Sequence, residues 1–176
     1  MTSPAGASRF RGKARSAAIR GGIAALLPVR VPPLRPWTHQ GRKSVAPNRL
    51  YPAGPRIGVD LVSISRVRGV FEGKPALLAT VFTKEELRYC TRQRRPFMHL
   101  AARFAVKEAV FKALERGLGQ GMHWTDVGTE HGPSGEPRLI LRGEVARLAK
   151  AKGLRRCAIS LTHAGGYAMA AAIFSD

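Results

Sequence analysis

Apolar and polar positions fall into regular patterns from residue 57 onward, and the patterns define a sequence of elements. Within Arg56-Ile-Gly-Val-Asp-Leu-Val-Ser63, residues 57–62 read as a short strand of β-branched and apolar residues with Asp60 in its middle. Helices are expected near 64–72, 84–94 and 97–116, then strands near 124–130 and 137–141 and a helix near 143–152. Two closing strands at 156–163 and 167–174 are joined by Ala164-Gly165-Gly166, a hairpin signal. Strands set apart from a long helix, ending in a hairpin, predict a single α+β domain with a small antiparallel sheet. No internal repeat is present.

The segment 97–116 is the most secure helix, because it holds neither Gly nor Pro and is rich in Ala, Leu, Phe, Lys and Glu. Gly117 and Gly119 are expected to stop it. At about 100° per residue, Leu100, Phe104, Phe111 and Leu114 fall in one stripe that faces a core. Lys107 lies inside that stripe, either as a snorkelling residue or as a positioned charge. Glu108 and Lys112, four apart, share one edge of the helix, which alone could be an ordinary surface ion pair. Arg103 projects away from that edge, so it would serve another part of a long ligand or a neighbouring subunit.

Asp60 changes this weighing. A carboxylate buried in a strand without a partner costs several kcal/mol, so it requires an arginine, a lysine or a metal ion. Together with Glu108 it supplies oxygen ligands of the kind magnesium takes, one or two carboxylates plus water and phosphate oxygens, with nearby lysines balancing phosphate charge. The residues thus point to phosphate chemistry, beside the plainer reading of surface charge on a core helix.

Four blocks carry a resemblance: Ile57-Gly-Val-Asp60, Phe82-Thr-Lys-Glu-Glu-Leu87, the run from Leu100 to Leu114, and Ile159-Ser-Leu-Thr-His-Ala-Gly-Gly-Tyr-Ala168. In this order they resemble the holo-acyl-carrier-protein synthases of the 4′-phosphopantetheinyl transferase superfamily, over residues 57–174. The resemblance implies transfer of the phosphopantetheine arm of coenzyme A to a serine of an acidic apo acyl carrier protein in fatty acid biosynthesis, releasing adenosine 3′,5′-bisphosphate. It implies magnesium, bound by Asp60 and Glu108. Lys107 and Lys112 are the candidates for stabilising phosphate charge, and the base is either Glu108 or a water that it orients. His163, at a strand end where a structural role is the commoner one, corresponds to a histidine beside the coenzyme A phosphates. Arg66 corresponds to an arginine that contacts the carrier, with Arg68 a weaker candidate. Small members of the family are homotrimers with sites between subunits, which would give Arg103 a ligand held by another chain. Gly117-Leu-Gly-Gln-Gly121 either presents backbone N–H groups to the nucleotide or is simply a helix cap and loop. Phe111 stands where some members carry a small polar residue, and its place on the apolar stripe makes it a core residue.

Charge divides the chain in two. Of 176 residues, 30 are Lys or Arg and 11 Asp or Glu, a net of +19; residues 1–56 hold 11 of the basic residues, none of the acids and 8 of the 12 prolines. Residues 57–176 carry the remaining 19 basic and 11 acidic side chains, a net of +8. The leading segment is expected to be a disordered basic arm, upstream sequence from an early start, or a transit peptide, the first two being favoured. Its apolar patches are too short to span a bilayer. A net of +19 raises a basic nucleic-acid-binding module as a rival, but zinc-finger spacing and an aromatic strand motif are absent. A transferase serving polyketide or peptide synthase carriers is the nearer rival, although those enzymes are typically two fused repeats. Cys90 and Cys157 show no metal-ligand spacing and suggest idle thiols in a cytoplasmic protein.

Overall fold

The computed structural model describes residues 54–119 and 121–176. The expected basic arm over 1–56 lies almost wholly outside these residues. Strand β1 (Arg56–Ser63) begins the fold, and its alternation turns Gly58, Asp60 and Val62 inward and Ile57, Val59 and Leu61 outward. Ser63 caps α1 (Ile64–Phe71), its hydroxyl accepting from Arg66 N. Helix α2 (Pro75–Val81), which the sequence pattern does not predict, starts on a proline at its first turn. Helix α3 (Lys84–Thr91) starts in a reciprocal capping box between Thr83 and Glu86.

Helix α4 (Pro96–Ala113) runs through the centre of the molecule. The expectation of one apolar stripe is corrected here: nearly all of its residues from Leu100 to Ala113 are buried, whichever way they point. Its Ala-rich composition fits this, since small side chains let elements approach from several directions. The helix ends at Ala113, three residues before the expected end at 116; Glu115 takes φ 56°, and Arg116 N donates back to Phe111 O at 3.1 Å.

A 3₁₀ turn (Trp124–Asp126) then leads into β2 (Val127–His131), where a strand from 124 is expected; β2 pairs antiparallel with β3 (Pro137–Leu141). Helix α5 (Gly143–Ala151) precedes the hairpin β4 (Arg156–Ala164) and β5 (Tyr167–Ser175). Gly165 and Gly166 both have positive φ, at 57° and 83°, as a tight two-residue hairpin turn requires. The main sheet has the antiparallel order β1-β5-β4, with α4 against one face. Phe71, Phe82, Phe104, Phe111 and Trp124 fill the core around α4. The α+β class and closing hairpin are those expected.

Candidate functional site

Asp60 reaches the site because Gly58 lets β1 lie directly on α4. A Cβ at Gly58 would stand 1.9 Å from Ala109 O and 2.6 Å from Ala113 N, so only glycine allows this approach. Two residues along, Asp60 is buried and its Oδ1 accepts from Lys112 Nζ at 2.7 Å; the same ammonium donates to Val59 O at 3.1 Å. Lys112 is thus the lysine partner that Asp60 requires. Asp60 Oδ2 is equally buried and has no hydrogen-bond partner.

Glu108 is the third member. Burial, followed by the Asp60 charge, pushes its carboxyl up to about 7, while Lys112 pulls the other way. Two coupled carboxylates, one with an orphaned buried oxygen, have spare acceptor capacity that a hard cation would satisfy. Among the described residues no three His, Cys, Asp or Glu gather as ligands. Magnesium does not need three, since it typically keeps several waters and substrate oxygens. The donor set therefore fits that ion.

The structure does not bring the other candidates to this point. Lys107 is fully buried and paired with Glu86 at 2.7 Å; its ammonium also donates to Trp124 O at 3.2 Å and to Val127 O. Burial pulls its pKa down against the raising effect of Glu86. An ammonium so enclosed leaves no face for a phosphate, which corrects the expectation that Lys107 binds substrate. Arg103 is seated within its own subunit. Its guanidinium lies 4.2 Å from the Tyr89 ring centroid, Nη1 donates to His99 O at 3.3 Å, and Nη2 is 2.9 Å from His131 Nε2. Arg103, expected to serve another part of a long ligand or a neighbouring subunit, thus has partners within its own chain, and its buried Nε stays unpartnered.

His163 is exposed and lies on β4 opposite Ala168, whereas Asp60 is in register with Ala170 and, through it, with Leu161. Its ring is 6.1 Å from that of His99, whose pKa is lowered by burial and then by Arg103, His163 and His131. Beside it a cleft of about 400 Å³ opens, lined by Arg68, Arg95, Phe97, Met98 and His163 among others, with Arg68 set over the Phe97 ring at 5.3 Å. Arg66 is exposed on α1. Within one chain, the carboxylate site and the basic cleft are therefore separate. Sequence reasoning misses Arg95 and the partner of Lys107. The latter had a signal: Thr83-x-x-Glu86 marks a capping box, and a lysine on an apolar face requires a carboxylate. Cys90 is buried and Cys157 exposed, both as free thiols.

The chain is 44% identical over 119 residues to a holo-[acyl-carrier-protein] synthase of Syntrophotalea carbinolica, spanning 67% of this chain and 93% of that one. Among solved structures it resembles the synthase of Neisseria meningitidis (26% identity, TM-score 0.63, covering 68% of this chain and 97% of that one). It likewise resembles the Helicobacter pylori synthase in complex with coenzyme A (27%, TM-score 0.60, covering 68% and 99%). The family model that matches, over residues 56–172, is that of the 4′-phosphopantetheinyl transferase superfamily, and the chain belongs to that family.

Proposed function

We propose that the protein transfers the 4′-phosphopantetheine arm of coenzyme A to a serine of apo acyl carrier protein in fatty acid biosynthesis. The observation that carries the site assignment is the orphaned Asp60 Oδ2 beside Glu108. Asp60 and Glu108 would hold magnesium, which when bound supplies Lewis-acid stabilisation of charge on the phosphate oxygens. Lys112 fixes the orientation of Asp60 and adds positive charge where the leaving group departs. The serine oxygen forms a bond to the phosphorus that carries the pantetheine arm, and the bond from that phosphorus to adenosine 3′,5′-bisphosphate breaks. The serine proton passes to Glu108, or to a water that Glu108 orients.

His163, with Arg68 and Arg95, offers cationic and hydrogen-bonding groups for the remaining phosphates of coenzyme A, and Arg103 holds the backbone of His99, whose ring is 6.1 Å from that of His163. Arg66 is assigned to the acidic carrier. The separation of cleft and carboxylates within a chain is what a site shared between subunits would require. Support for self-association comes from the outer face of the sheet, where Ile57, Leu61, Tyr167, Met169 and Ile173 are exposed and Ile57 pairs with Ile173, Leu61 with Met169. So broad an apolar face marks an interface, and we assign it to a homotrimer. Light scattering should give three times the chain mass, and Leu61→Glu should yield a smaller species. Among the described residues no helix is long and apolar enough to cross a membrane, and we place the enzyme's work in the cytoplasm.

The decisive assay mixes the protein, magnesium, coenzyme A and apo carrier, and reads the mass of the carrier. A gain of one phosphopantetheine is expected. No gain, with the Neisseria meningitidis enzyme active in parallel, would reject the reading.

A further inference from the structure

Among the described residues, Glu86 and Lys107 form the one ion pair with both side chains fully buried. Such a pair is seldom worth more than an apolar pair of the same volume, because desolvation offsets the attraction. Apolar side chains of the same volume would fit the space, since Lys107 lies 5.8 Å from the Phe82 ring centroid and Phe104 and Val106 are buried beside it in sequence, but they would leave the backbone partners of the pair unmatched. What an apolar pair could not supply is direction. Glu86 Oε2 accepts from Thr83 N at 2.9 Å and Oε1 from Thr129 N at 3.1 Å, while Lys107 reaches Trp124 O and Val127 O. The start of α3, the 3₁₀ turn and β2 are all tied to one residue of α4.

That residue directly precedes Glu108. The residue after Glu108, Ala109, is the one whose carbonyl lies against Gly58 of β1. Helix α4 is therefore gripped on both sides of Glu108, by a polar clamp at 107 and by strand contact at 109. A rotation or slide of α4 that misdirected Glu108 would break several hydrogen bonds of the clamp at once.

Resting on the transferase reading above, we propose that Glu86 is a positioning residue: through Lys107 it sets the rotation and depth of α4, so that Glu108 and Lys112 meet Asp60. The pair is kept for the register it imposes on the site.

The test compares the full-length wild type with Glu86→Leu/Lys107→Met and with Glu86→Asp, well below their melting temperatures. Read out are kcat, KM for coenzyme A and carrier, and the magnesium concentration giving half-maximal rate. The apolar double variant should stay folded, lose about ten- to a hundredfold in kcat, need about tenfold more magnesium, and keep its KM for carrier. A folded double variant with kcat and magnesium requirement within about twofold of wild type would overturn the proposal. Should the double variant not fold, Glu86→Asp decides, since it keeps the charge but shortens the reach by one methylene. Reduced kcat and raised magnesium requirement at near-native melting support the clamp, and wild-type values refute it. An inactive wild type would count against the transferase reading instead, so the two failures are distinguishable.

Discussion

Two lysines five positions apart on α4 each hold a carboxylate at 2.7 Å, yet the two pairs do different work. Around Glu86–Lys107 every carboxylate oxygen has a donor and the ammonium has further carbonyl acceptors. Around Asp60–Lys112 one buried carboxylate oxygen has no partner, the lysine side chain is 47% exposed, and a second carboxyl nearby is held up at about 7. What separates frame from site is therefore unsatisfied capacity. A saturated buried pair fixes geometry, whereas an unsaturated one beside a like charge is prepared to bind something.

The sharpest way to break this contrast is to neutralise each carboxylate in turn. Asp60→Asn and Glu108→Gln should each lower carrier modification at least about a hundredfold while leaving the fold intact. Glu86→Gln should instead destabilise the protein by about 3–5 kcal/mol, because it leaves a buried ammonium without its counter-ion. Mass spectrometry of the carrier and thermal melting read the two effects separately. If Asp60→Asn melted as early as Glu86→Gln and still turned over carrier, the distinction would fail.

Gly58→Ala sharpens the contrast from the other side of the helix. A methyl group 1.9 Å from Ala109 O must push β1 and α4 apart. The cost should be about 1–3 kcal/mol in stability, and the displaced Asp60 should lose its hold on Lys112. Wild-type melting and activity in this variant would mean that the close approach does not build the site.

Much of this site was legible before the fold was known. The pairing of a strand carboxylate with a helix carboxylate follows from cost: Asp60 in an apolar strand requires a partner, and Glu108 with Lys112 is the polar edge of an otherwise apolar helix. The blocks in order then gave the family. Other features rest on contacts that no local pattern carries. Lys107 reads as a phosphate ligand in the sequence because its partner, Glu86, lies 21 residues earlier on another element. The burial of α4 on all sides depends on β1, β5, α1, α3 and β2 arriving from distant segments, so a single-helix wheel shows only a stripe. Helix α2 is one short turn-rich segment, and its start on Pro75 is clear only once Val81 is seen in the core.

Glu108 gives a smaller effect with a definite sign. Its carboxyl sits above the ordinary carboxylate value, so between about pH 4.5 and about pH 7 the folded protein keeps a proton that the unfolded chain has released. Stability from this group is therefore present at the acid end and falls as pH rises through that window. A cation bound at Asp60 and Glu108 favours the ionised form, so magnesium should raise the melting temperature more at about pH 8 than at about pH 5.5. Glu108→Gln should remove that difference. An equal magnesium effect at both values in the wild type would place the ion elsewhere.

The weakest expected effect concerns charge on the exposed surface. Arg66 stands exposed on α1, and residues 57–176 carry a net of +8, so an acidic carrier approaches through a favourable field. Arg66→Glu should raise the carrier KM several-fold at low ionic strength with kcat little changed, and the effect should shrink as salt shortens the Debye length. Arg68→Glu should do less to the carrier, since its guanidinium lies over Phe97 at the mouth of the cleft, and should act more on coenzyme A. A carrier KM indifferent to Arg66→Glu at low salt would remove Arg66 from the interface. A change that persisted at high salt would instead mean a desolvated contact, and Arg66 would then belong with the buried pairs of α4 rather than with the solvated charge of the surface.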